Sequence, residues 1–134
     1  MTATIALAKL KQLEKALASF RLGVIDNPSE IERDGAIQRF EYSFELSWKT
    51  LKTVLEYLGV EDCKSPRKAL QAGLIQGFIK MDDREIWLAM LEDRNQTTHI
   101  YHEQIAISIF SNLSKYLKLM NDLHKTLTSE LTDK

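Results

Sequence analysis

Hydrophobic residues recur every three or four positions along nearly the whole chain, which is the spacing of helices with one buried face. The first segment of this kind begins at Ile5 and ends at Phe20, before the polar sequence DNPS. The second spans residues 30–58, and Ser29 and Glu32 are spaced to form a capping box at its start. At about 1.5 Å per residue, the second helix is on the order of 40 Å long.

The remaining pattern predicts one short helix and two further amphipathic ones. Ser65 and Pro66 favour a helix start, and Gly73 is expected to end that helix. The helices are expected over residues 66–72, 82–93 and 98–127, with a polar, frayed tail over residues 128–134. The 134 residues therefore predict a single all-α domain, residues 1–134, folded as an antiparallel (up-and-down) four-helix bundle with an extra short helix.

Composition and charge narrow the classes of function. Eighteen basic and 19 acidic residues give a net charge of −1, so any polyanion must be held by a local arrangement. The single cysteine, Cys63, excludes an intramolecular disulfide and a cysteine-cluster metal site. Neither a signal sequence nor an apolar run of about 18 residues is present, so we expect a cytoplasmic protein without membrane contact. We expect no metal and no cofactor.

The sequence DRNQTTHIYHE, residues 93–103, is polar between two apolar helical patterns. Arg94 and His99 are five residues apart, which on an unbroken helix places them about 140° apart. For these two side chains to converge, the chain must break between two helices here, or two copies must meet at a symmetry axis. An arginine and a histidine can together cleave RNA without a metal. The spacing alone does not distinguish such a site from two unrelated residues.

Several blocks resemble a known family. Arg94, Asn95 and His99 resemble the R-x(4–6)-H motif of the HEPN superfamily, and Tyr101 extends it to the Arg-x4-His-x-Tyr form. That form occurs in HEPN proteins encoded beside a minimal nucleotidyltransferase. The blocks that resemble the nucleotidyltransferase substrate-binding branch are RDGAIQRFE (33–41), ELSWK (45–49), SPR (65–67) and residues 87–101. The similarity covers residues 33–106, and the first helix matches only in its pattern.

The resemblance implies an HEPN-like helical bundle that forms a homodimer with a composite cleft, and a minimal nucleotidyltransferase as partner in a hetero-oligomer. By this resemblance, Arg94 would stabilise the phosphoryl transition state and Asn95 would orient that phosphoryl group or the histidine. His99 would be the general acid/base. Tyr101 would accept AMP from the partner. Arg39, Arg94, His99 and Tyr101 would bind the RNA or nucleotide. The sequence pattern around Arg39 does not decide whether this side chain lines the cleft or forms a structural ion pair.

Three functions are considered. The first is a ribonuclease toxin controlled by its nucleotidyltransferase. The second is a non-catalytic subunit that binds nucleotide or substrate for that enzyme, so whether the chain is itself an enzyme is left open. The third is a structural helical adaptor. The presence of Arg94, His99 and Tyr101 together counts against it, because a scaffold does not need these three residues. The chain has no strand with a Gly-Ser turn and paired aspartates, so it is not the transferase.

Expectations also follow for the neighbours of the motif. Asp93 is expected to pair with Arg94, and Glu41 to bond Arg94 or lie elsewhere. His102 and His124 are expected to face solvent. The large aromatic residues are expected in the core: Phe44, Trp48 and Trp87.

Overall fold

Five α-helices make up the computed structural model, which describes residues 3–132. They are α1 (Ala3–Gly23), α2 (Glu30–Tyr57), α3 (Pro66–Gln76), α4 (Arg84–Asn95) and α5 (Glu103–Thr132). Single 3₁₀ turns, Met81–Asp83 and Thr97–His99, precede and follow α4. No strand occurs among residues 3–132, so the all-α prediction is confirmed.

Contacts between pairs of helices show the relative directions of those helices. Arg39 on α2 bonds Ser19 near the end of α1, and Thr50 bonds Lys9 near its start, so α1 and α2 are antiparallel. In contrast, α5 runs in the same direction as α2, because Arg33 lies near Glu103 while Phe40 stacks on Tyr116 further along both helices. The short α4 runs antiparallel to α5 and so to α2, because Asp93 bonds Asn112 and Tyr116 while Trp87, earlier in α4, lines a cavity with Leu119 and Leu123. The predicted up-and-down bundle is confirmed as α1, α2, α4 and α5, with α3 as the extra short helix.

The centre of the bundle is an aromatic cluster built on α2. Phe40 lies between Phe20, Phe44 and Tyr116, with ring centroids 6.2, 6.3 and 5.4 Å away. All four side chains are buried, as are Trp48 and Trp87. Because α2 packs against every other helix, its faces carry both the core and the contacts that place the functional residues. The predicted capping box at its start is present.

The predicted end of α3 is wrong. The helix continues through Gly73 to Gln76 and ends at Gly77, which takes the left-handed conformation with φ of 80°. Gly73 is buried, and a Cβ there would lie 3.1 Å from Leu51 and 3.2 Å from Ile79. The glycine therefore permits close packing inside the helix and does not terminate it.

The bounds of α5 also differ from the prediction. The helix begins at Glu103 and not at residue 98, and it continues to Thr132 where fraying was expected. Leu127 is buried and Leu131 packs against the core, so tertiary contacts hold the last turns in place. Residues 133 and 134 of the predicted tail lie outside the described part. His124, expected to be exposed, is half-buried, and its Nε2 donates to a main-chain carbonyl of α1 at 3.1 Å.

Two glycines within helices predict opposite effects of alanine. Gly35→Ala meets nothing within 4 Å, so we expect the free energy of unfolding to rise by about 1 kcal/mol from helix propensity. Gly73→Ala forces buried methyl groups apart, and we expect a decrease of about 1 kcal/mol. Urea denaturation followed by circular dichroism measures both. An equal gain at Gly73 and Gly35 would contradict this account of α3.

Candidate functional site

The helix is broken between α4 and α5, as the motif predicted. Main-chain N–H groups in this segment bond the carbonyl three residues earlier: Gln96 to Asp93 at 3.0 Å, His99 to Gln96 at 2.9 Å and His102 to His99 at 3.0 Å. These turns replace the regular helical hydrogen bonds. Arg94 therefore stays on the last turn of α4, while His99 lies in a separate turn.

Arg94 is held against α2 by Glu45. Its Nε donates to Glu45 Oε1 at 2.6 Å, and the two side chains are 34% and 27% exposed. The other carboxylate oxygen of Glu45 accepts from the indole N–H of Trp48 at 3.2 Å. A guanidinium has five N–H donors. Because this bond uses Nε, the Nη groups of Arg94 remain suited to a phosphate.

A second carboxylate on α2 holds the turn after α4. The hydroxyl of Thr97 lies against Glu41 and is also 2.8 Å from the carbonyl oxygen of Arg94. Glu41 and Glu45 are four residues apart and so share one face of α2. Of the alternatives for Glu41, the structure selects a place beside Thr97.

Asp93 does not pair with Arg94, so that prediction is wrong. Its carboxylate accepts from the buried hydroxyl of Tyr116 at 2.7 Å and from the amide of Asn112 at 3.2 Å. Consecutive residues of a helix differ in direction by about 100°, so Asp93 points to α5 while Arg94 points to α2. Burial, and then the hydrogen bond to Asp93, raise the pKa of the Tyr116 phenol far above its ordinary value.

His99 and Tyr101 lie together on the exposed surface of the turn. The Tyr101 hydroxyl is 3.3 Å from His99 Nδ1, and the ring centroids are 6.0 Å apart. Tyr101 is 74% exposed and also lies against the ring of His102, at a centroid distance of 4.4 Å. His102 faces solvent as predicted, and Asn95 is also exposed at the end of α4. The tyrosine hydroxyl is thus accessible and next to the imidazole.

A model of the family described as "Nucleotidyltransferase substrate binding protein like" matches residues 7–129. The chain belongs to this family. A solved structure from Thermus thermophilus is similar, with a TM-score of 0.82, 38% identity and coverage of 86% of this chain and 98% of that chain. The resemblance read from the motifs is thereby confirmed.

Two similar proteins come from Haemophilus influenzae. One is HI0074, described as having the fold of a substrate binding domain of a nucleotidyltransferase. Its TM-score is 0.66, with 25% identity over 95% of this chain and 99% of that chain. The other is named "Probable ribonuclease HepT" and is 33% identical over 91 residues, 62% of this chain. That match spans 58% of the relative's length.

Arg39 of this family member bonds α1 and none of the other predicted site residues among the described contacts. Its Nη1 donates to the Ser19 carbonyl oxygen at 2.7 Å, so it joins α1 to α2. Among the contacts of the described chain, none links Arg39 to an acidic side chain or to Arg94. Its assignment to the nucleotide site stays a prediction.

Beside the motif, a shallow groove runs between α2 and the turn Thr97–His99 in this family member. Its lining combines apolar and polar side chains, and includes Ile31, Asp34, Gln38, Glu41, Thr97 and Ile100. Ile31 is 86% exposed, which leaves a large apolar side chain in solvent next to the candidate site. Within residues 3–132, no cluster of His, Cys, Asp and Glu could hold a metal, and no helix is long and apolar enough to cross a membrane.

The sequence reasoning missed Glu45 as the partner of Arg94. The available signal was its spacing of four residues from Glu41, which places two acids on one face of α2. Glu45 is 49 positions from Arg94, and Glu41 is 56 positions from Thr97, so only the packing of α4 on α2 reveals the pairs.

The bond between Tyr116 and Asp93 predicts a pH-dependent stability difference. We expect Tyr116→Phe to lower the free energy of unfolding by about 1–3 kcal/mol at pH 7, because the half-buried carboxylate of Asp93 loses a donor. The native phenol has a raised pKa, so its contribution is complete below pH about 10 and declines above it, where the unfolded phenol ionises.

Urea denaturation of both proteins at pH 7, 9 and 11 measures this difference. The cost of Tyr116→Phe should be similar at the two lower values and smaller at pH 11. Tyr57→Phe, an exposed tyrosine, is the matched control. A cost that stays constant up to pH 11 would contradict the predicted linkage.

Proposed function

We propose that the chain is the toxin of a toxin–antitoxin pair, a metal-independent HEPN endoribonuclease acting at a homodimer cleft. The observation that carries this proposal is the arrangement around the helix break. Arg94 is anchored through Nε with its Nη groups available, and His99 is exposed in the following turn. The match to a protein named as a probable ribonuclease supports the same activity.

In the proposed reaction, the 2′-hydroxyl oxygen attacks the adjacent phosphorus and the bond to the 5′ oxygen breaks. One imidazole accepts the 2′-hydroxyl proton, and a second imidazole donates a proton to the leaving oxygen. Two copies of His99 at a dimer axis supply both groups. Arg94 stabilises the charge that develops on the phosphoryl oxygens, and Asn95 orients the phosphate or the histidine. The products are a 2′,3′-cyclic phosphate and a 5′-hydroxyl.

Tyr101 is the proposed point of control. The partner, a minimal nucleotidyltransferase, transfers AMP from ATP to the phenol oxygen and releases pyrophosphate. The hydroxyl is exposed for that reaction and lies 3.3 Å from His99 Nδ1. An attached AMP therefore adds bulk and negative charge beside the imidazole and excludes RNA.

A second candidate is a non-catalytic subunit that holds a nucleotide or substrate for the nucleotidyltransferase. The description of the family and of the HI0074 fold favours it. On this proposal Arg94 and His99 bind a phosphate without reacting.

Metal-free cleavage of RNA tests the first proposal. We expect the wild type to cleave RNA in EDTA, leaving 2′,3′-cyclic phosphate, and Arg94→Ala and His99→Ala each to lose at least about 100-fold in rate. Mass spectrometry establishes beforehand that Tyr101 carries no AMP. His102→Ala and Arg84→Ala, an adjacent histidine and an exposed arginine of α4, are the matched controls.

No cleavage by unmodified, dimeric wild type would contradict the ribonuclease proposal and favour the binding subunit. Loss of activity in His102→Ala to the same extent as in His99→Ala would contradict the assignment of His99.

The composite cleft requires two copies. We expect light scattering to give the mass of a dimer at micromolar concentrations, since no hydrogen bond joins Arg94 to His99 within residues 3–132 of one chain. A monomer across that range would contradict a site formed between copies.

A further inference from the structure

The contact between Arg94 and Glu45 does more than join two helices. We propose that Glu45 is a positioning residue that directs the Nη groups of Arg94 to the phosphate, and that Trp48 in turn holds Glu45. This inference rests on the proposed function, because it concerns the use of the same arginine. It assigns the role to two α2 residues that lie outside the Arg-x4-His motif.

The geometry of the guanidinium gives the first argument. The group is planar, so a short bond from Nε fixes the direction in which both Nη groups point. The Nε–Oε1 distance is 2.6 Å, and the Arg94 side chain is about two-thirds buried at 34% exposure. An arginine restrained on its Nε edge presents its outer edge to a ligand with little freedom left to lose.

The position of the carboxylate gives the second argument. Glu45 is itself restrained, because its Oε2 accepts from the indole N–H of the largely buried Trp48 at 3.2 Å. Lys49 Nζ lies 3.9 Å from the same oxygen, at the exposed side. The carboxylate is thus fixed between a core side chain and Arg94. An ion pair between two mobile surface side chains has no such restraint and contributes little to stability.

The end of α4 is also attached to the bundle by contacts that do not involve Glu45. Asp93 bonds Tyr116, and Thr97, just after the helix, bonds Glu41. These contacts keep α4 in place when Glu45 is changed. Removing the carboxylate should therefore release the arginine side chain and leave the bundle folded.

The experiment compares Glu45→Ala with Glu45→Gln. The measurements are kcat and KM for RNA cleavage in EDTA, and the Kd for an oligonucleotide that carries 2′-deoxyribose at the cleavage position. We expect Glu45→Ala to lower kcat by about 10- to 100-fold, more than it changes KM or Kd. Glu45→Gln should recover part of kcat, because its amide oxygen can still accept from Arg94 Nε, although its NH2 group cannot accept from the Trp48 indole. Trp48→Phe should lie between the wild type and Glu45→Ala.

Glu85→Ala is the matched control. It breaks another Arg–Glu pair of α4, in which Arg84 Nη1 and Glu85 Oε1 are 2.7 Å apart and exposed. Its kcat should equal that of the wild type. In an Arg94→Ala background, Glu45→Ala should cause no further loss, because Glu45 acts through that arginine.

Several results would overturn the inference. They are a folded Glu45→Ala protein with wild-type kcat, a Glu45→Gln protein as defective as Glu45→Ala, and additive losses in the Arg94→Ala background. If the wild type cleaves no RNA, the proposed function fails. Oligonucleotide binding then tests the role of Glu45. If Glu45→Ala weakens binding only in a protein that retains Arg94, positioning is supported. If Glu45→Ala leaves binding unchanged, or weakens it equally in the Arg94→Ala background, positioning is contradicted.

Discussion

The salt bridge between Arg94 and Glu45 is the contact on which the candidate site depends. It attaches the last turn of α4 to the helix that forms the centre of the bundle. One turn away on the same face of α2, Glu41 holds Thr97 in the following segment. Because both carboxylates belong to one rigid helix, they fix where α4 stops and where the chain turns towards α5.

This constraint divides the motif into a fixed part and an exposed part. Arg94 is half-buried and restrained, whereas His99 and Tyr101 stand in solvent on a short turn. The division suits the proposed chemistry. A cation that stabilises a phosphoryl group works best when preorganised, whereas a histidine and a modifiable tyrosine must be reached by RNA, by a second copy or by a partner enzyme.

Much of the fold followed from local pattern. The three-and-four spacing predicted the helices, Ser29 and Glu32 formed the expected capping box, and the polar run predicted the break after α4. The errors lay where tertiary packing decides. Gly73 is inside a helix because Leu51 and Ile79 lie too close for a side chain. The helix α5 extends beyond its predicted end because its last leucines reach the core.

The partners within the site were the least predictable part. Asp93 was expected beside its neighbour in sequence, but a helix turns adjacent residues apart, and its partner Tyr116 lies 23 positions away. Glu45 is 49 positions from Arg94, and no local pattern connects them. The resemblance to a family supplied the residue types of the motif, whereas their restraints became visible only from the packing of α4 against α2.

The most direct test is a crystal structure of the protein with an uncleavable 2′-deoxy RNA analogue. The account predicts Arg94 Nη groups within hydrogen-bonding distance of the scissile phosphate, Nε still on Glu45, and a His99 imidazole beside the position of the 2′ oxygen. A phosphate bound away from Arg94, or an Arg94 that leaves Glu45 to reach it, would contradict the account.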